Sequence, residues 1–176
     1  MLPQTLLACL SAFEPCFTAP SYHRFTAMMS GWLLCIGKHT ITGAMRSGGL
    51  AATDPGGFHR FFSRGAWSPD DVGRVVLRMA LKLVPPGHRV MLTLDDTLAG
   101  HTGKRIASAG MHRDPLLSTG NKPFFHFGHN WVVLAVVVEM PWGKRLSLPF
   151  FARLYRSVKA AEKASVDHVK RTIMAA

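Results

Sequence analysis

Apolar residues recur at spacings of three and four through Leu6, Leu10, Phe13 and Phe17, the spacing that lines one face of a helix, and the pattern stops before Pro20. A second helix is expected from Ser21 to Ile36, and a short one between Lys38 and Leu50 that Gly48 and Gly49 end. The turn-forming run Thr53-Asp54-Pro55-Gly56-Gly57 closes this all-helical first third. Ser68-Pro69-Asp70-Asp71 then supplies an N-cap, a proline at the first helical position and two acids in the first turn, which predicts a helix to Val84. Its apolar positions Val72, Val75, Val76, Met79 and Leu83 share one face. Arg74, Arg78 and Lys82 repeat every four residues on another, which reads as a solvated basic face.

Pro85-Pro86-Gly87 breaks that helix. Arg89 to Asp95 is a short aliphatic and β-branched run with the composition of a buried strand, and it ends on two carboxylates. Asn130 to Met140 is a stronger strand candidate, and Pro141-Trp142-Gly143-Lys144 reads as the turn of a hairpin into Arg145 to Phe151. From Ser157 to Ala176 apolar Val158, Ala161, Val166, Val169 and Ile173 stand among Lys159, Lys163, Lys170 and Arg171, which predicts a final helix. The fold class is therefore α+β. A helical region spans residues 1–57, a connecting segment and helix 58–88, and a part with three strands in an antiparallel meander plus a C-terminal helix 89–176.

Charge adds a partner to this outline. Lys and Arg total 21 against 10 Asp and Glu in 176 residues, a formal net charge of +11, so something acidic is the expected partner. A phosphate backbone fits, because each cation that neutralises a phosphate releases a counterion. No Lys/Arg block has the length of a basic tail, so folding must gather the charge, which favours a groove. Cys9, Cys16 and Cys35 form no CxxC and are odd in number, which fits a reducing cytoplasm. Glu14 interrupts the apolar stretch near the N-terminus, which argues against a secretory signal, and the run Trp131 to Val138 is far too short to span a bilayer.

Candidate chemistry concentrates at Asp95-Asp96-Thr97, where a strand rim can present carboxylates to a divalent cation, which prefers hard oxygen ligands. Alternate strand residues face opposite ways, so both acids address one metal only if the strand ends between them; Asp96 is the preferred ligand. The rival reading has both acids capping the next turn or pairing with Arg or Lys. The stretch from Thr97 to Phe127 holds Gly100, Gly103, Gly110 and Gly120 together with Lys104, Arg105, Arg113 and Lys122, a composition suited to phosphate contact. Arg60 and Arg64, among the aromatics of Phe58 to Trp67, are further candidate contacts. No P-loop or dinucleotide fingerprint is present, which excludes nucleotide-cofactor enzymes. His126 and His129 read as packing or hydrogen-bonding groups rather than zinc ligands.

The order of these features resembles one family, the DDE superfamily endonucleases among bacterial insertion-sequence transposases, whose catalytic domain is ribonuclease-H-like. Phe13-Glu14-Pro15-Cys16-Phe17 with Arg24-Phe25 and Ser30-Gly31-Trp32-Leu33-Leu34 resembles their helical N-terminal region. Phe58-His59-Arg60-Phe61-Phe62-Ser63 with Ala66-Trp67-Ser68 resembles the segment leading into the catalytic domain. Leu92-Thr93-Leu94-Asp95-Asp96-Thr97, His129-Asn130-Trp131-Val132-Val133-Leu134, and Leu148-Pro149-Phe150 with Arg153-Leu154-Tyr155 resemble its first three strands. The resemblance implies a two-metal mechanism in which three acids hold a pair of Mg2+ ions. Asp96, or failing that Asp95, is the first acid.

On the same resemblance the second acid follows the helix at Ser157 to Ala176 on another strand, and the third sits on a later helix. Glu162 and Asp167 lie within the predicted helix and fit neither role, so the chain is expected to be an N-terminal fragment. Double-stranded DNA at the element ends is the expected partner, with self-association or pairing with the missing C-terminal part through an unpaired sheet edge. The expected location is the bacterial cytoplasm, on the nucleoid. The alternative is a non-catalytic nucleic-acid-binding protein, or an inhibitor derived from a transposase, for which charge alone suffices.

Overall fold

The computed structural model describes residues 3–103, 106 and 108–156; the expected helix Ser157–Ala176 and the cations Lys104 and Arg105 lie outside them. The fold is α+β: among the described residues five α-helices precede a four-stranded antiparallel sheet. The chain divides into two compact units, Met1–Val75 and Val76–Ala176.

In the first unit the helices are α1 (Gln4–Ser11), α2 (Ala19–Leu34), α3 (Ile41–Ser47) and α4 (Gly56–Arg64). The single helix expected over Leu6–Phe17 is broken: α1 stops at Ser11 and a 3-10 turn, Glu14–Cys16, follows with Pro15 inside it. Proline has no N–H to give and its ring clashes with the preceding turn, so the helical period cannot run through it. Thr40 caps α3, its Oγ1 accepting from the Gly43 N–H at 3.0 Å. The aromatic and basic segment after Gly57, expected as a connection, is helical as α4, because Phe58 and Phe61, one turn apart, are both buried. Met28, Ala44, Met45 and Phe58 form the core. At Gly31 a Cβ would stand 2.2 Å from the carbonyl oxygen of Ala44, so α2 and α3 cross in backbone contact. Phe17 stacks on Phe25 and Trp67 on Phe61, and the Trp67 indole N–H donates to the Phe61 carbonyl at 2.9 Å.

Helix α5 (Pro69–Leu81) starts as expected at Ser68-Pro69, where Ser68 Oγ accepts from the Asp71 N–H. In the second unit Ala80 is buried with Val136 and Val138, and Leu77, Val84, Leu148 and Phe150 pack around them. The sheet comprises β1 (Met91–Gly100), β2 (Gly110–Arg113), β3 (Phe125–Glu139) and β4 (Arg145–Leu154). The three expected strands are β1, β3 and β4, paired in that order as an antiparallel meander. Tight reversal at Pro141–Lys144 is possible because Gly143 takes φ +78°, and Met140 N donates to Lys144 O at 2.8 Å.

Two features of the sheet exceed the expectation. Strand β1 runs five residues past Asp95, because β3 starts at Phe125 and offers partners as far as Gly100↔Gly128. The connection expected to lack structure carries β2, which pairs with Phe125–Gly128. Beyond β2 the Asp114 carboxylate accepts from Leu116 N at 2.9 Å and Leu117 N at 3.1 Å, ordering the next turn. Strand β3 is the spine: β1 lies along one edge, while β2 and then β4 share the other. Between Leu134 and Ala135 the register with β4 shifts by one residue, beside Pro149, which has no N–H for the ladder.

A candidate catalytic carboxylate and its surroundings

Asp95 and Asp96 stand within β1, opposite Val133 and Val132 of β3, and both are exposed. Because the strand does not end between them, their side chains leave on opposite faces of the sheet. The two carboxylates also have different duties. One oxygen of Asp95 accepts from the backbone N–H of Asp96 at 2.9 Å, whereas Asp96 Oδ2 accepts from Asn130 Nδ2 at 2.9 Å. Neither acid forms an ion pair with Arg or Lys among the described residues.

Directly opposite residues of an antiparallel pair share a face, so Asp96, Val132 and Arg153 form one row across β1, β3 and β4. The Arg153 guanidinium lies 3.9 Å above the Phe151 ring, which places a cation on the face of Asp96. Asn130 is held from both edges of β3, facing Leu98 on β1 while its carbonyl accepts from Tyr155 N at 2.7 Å. Its side-chain Oδ1 is buried with no hydrogen-bond partner among the described residues. Reasoning from sequence did not single out Asn130. The available signal was an amide at the head of the apolar run Trp131–Val138, since a polar group in a sheet core needs a partner.

The other expected contacts are dispersed. Arg113 ends β2 and, with His112, Tyr155 and Arg156, lines a pocket of about 410 Å3 that holds no acidic side chain. Lys122 sits in the turn bridged to Thr119. Arg60 and Arg64 belong to α4 in the first unit, and Arg60 lies 3.9 Å from Asp54 at the surface. His126 and His129 are three residues apart on one strand and so face opposite ways: His126 lies 3.9 Å from Asp114, and His129 Nδ1 is 3.1 Å from His101 Nε2. Among the described residues no group of three or more His, Cys, Asp or Glu is placed to hold a metal ion. No described helix is long and apolar enough to cross a membrane.

The model of the family described as DDE superfamily endonuclease matches residues 12–176. No curated protein and no solved structure matches the chain.

Proposed function

The chain belongs to the DDE superfamily endonucleases, and from that premise we propose that it serves DNA contact in an insertion-sequence transposase, with Asp96 as the first acid of the catalytic set. On this reading β1, β3 and β4 are the opening strands of a ribonuclease-H-like domain, and the protein works in the bacterial cytoplasm on the nucleoid. One observation carries the assignment to Asp96 rather than Asp95. Both acids are exposed with one oxygen engaged, but Asp96 is held across the sheet by the side-chain amide of Asn130, whereas Asp95 accepts from the backbone of its own strand.

Enzymes of this superfamily use divalent metal ions, and Asp96 offers the hard oxygen that Mg2+ prefers. The fit is to one corner of a site, since among the described residues no group of three or more His, Cys, Asp or Glu is placed to hold a metal ion. A bound cation there would polarise a phosphate and make water more acidic. The chain's own part is to hold the Asp96 carboxylate in one orientation and to bring DNA to it. Arg113 and Arg156, in a pocket without acids, and Lys122 supply cations for phosphate, and Lys104, Arg105, Arg60 and Arg64 belong to the same proposed DNA contact.

The test compares wild type with Asp96→Asn on duplex DNA and on supercoiled plasmid, with and without Mg2+. DNA affinity nearly unchanged in Asp96→Asn, with loss of whatever Mg2+-dependent nicking the wild type shows, is the expected result. The absence among the described residues of a group of three or more His, Cys, Asp or Glu able to hold a metal ion favours a second reading, a DNA-binding protein that occupies element ends or pairs with an active transposase. That reading holds if neither protein nicks while both bind DNA equally.

A further inference from the structure

Asn130 heads a run of apolar residues on β3, and its two amide atoms stand in different situations. The nitrogen donates to Asp96 Oδ2 at 2.9 Å, while the oxygen is buried without a partner among the described residues. Chemistry fixes which atom is which, because a carboxylate oxygen only accepts and must meet the N–H side of the amide. That oxygen is shut off from solvent and finds no partner among the described residues, an arrangement that costs the folded state free energy that an apolar side chain would not. Asp96 gains little stability in return, because it is exposed and water would solvate it if Asn130 were absent.

A residue that costs the fold and adds little stability to its partner is explained by where it puts that partner. We propose that Asn130 is a positioning residue: its amide fixes the rotation of the Asp96 carboxylate, leaving Oδ1 to a hard divalent cation. Its backbone is anchored on both sides for this, through the Leu98 pairing on β1 and the N–H of Tyr155, just past β4, on its carbonyl at 2.7 Å. Partners one step removed from a metal orient the ligand, and their removal typically weakens metal binding by about tenfold or more. The inference rests on Asp96 being a cation ligand, as proposed above.

The experiment uses the full chain and Mn2+ alone, read by paramagnetic broadening of amide resonances in β1 and β3, with Tm measured on the same samples. In wild type the broadening should centre on Asp96 and vanish in Asp96→Asn. In Asn130→Val the Mn2+ affinity should fall about tenfold, while Tm stays level or rises by about 3 °C, roughly what removal of one unpaired polar group is worth in a chain of this size. Asn130→Leu repeats the measurement with a longer side chain, so that a packing fault in one variant does not decide the outcome. If both variants bind Mn2+ as wild type does, or if both melt lower or fail to fold, Asn130 is structural and the inference is overturned while Asp96 keeps its role. If wild type shows no Asp96-dependent broadening, both readings fall together.

Discussion

At the scale of single residues, the first unit depends on close contacts between named groups. Gly31→Ala would drive a methyl group into the Ala44 backbone, because the missing Cβ lies 2.2 Å from its carbonyl oxygen. Backbone cannot rotate away as a side chain can, so the expected cost is about 1–3 kcal/mol, measured by urea denaturation. Phe61 is buried among Phe17, Phe62 and Trp67, and Phe61→Ala should cost about 3–5 kcal/mol in the same assay. Trp67→Phe keeps the stacking but removes the donor to the Phe61 carbonyl, and should cost about 1 kcal/mol. A Trp67→Phe protein as stable as wild type would mean that water replaces the indole N–H without loss.

At the scale of elements, the outer side of β1 has no strand partner among the described residues, and neither have the outer sides of β2 and β4 across the sheet; the β1 edge is the more apolar at Leu92 and Leu94. Leu92 and Leu94 there are 56% and 57% exposed, and an exposed apolar edge is a template for another chain. Leu92→Lys should change stability by less than about 0.5 kcal/mol and lower concentration-dependent light scattering; unchanged scattering would place self-association elsewhere. Helices and strands were legible where a local period or cap dominates: Ser68-Pro69-Asp70-Asp71 announces α5, and Asn130–Met140 announces β3. They were illegible where pairing overrides composition. Asp96 to Gly100 and the glycine-containing β2 are strands because β3 extends back to Phe125 and offers hydrogen bonds, not because their own residues favour it. Pro15 was visible but outweighed by the apolar spacing around it. Asp96 could be singled out from its dipeptide, whereas Asn130 becomes visible as its partner only once the register of β1 against β3 is known.

At the scale of the whole molecule, a net charge of +11 predicts DNA binding that weakens steeply with salt. Arg113→Ala, in the pocket without acids, should reduce the slope of log affinity against log salt by about 1; an unchanged slope would remove that pocket from the contact. The sharing of one edge of β3 between β2 and β4 carries a further consequence. Four residues tie β2 to the strand at Phe125–Gly128, whereas seven residues of β1, Met91 to Thr97, and the length of β4 clamp it from Trp131 onward. Hydrogen exchange should therefore divide a single strand into two kinetic zones, with fast local opening at its start and release only on global unfolding farther along. Asn130 lies at the seam, so the slowest motion compatible with an intact Asp96 is set by the seam and not by the core.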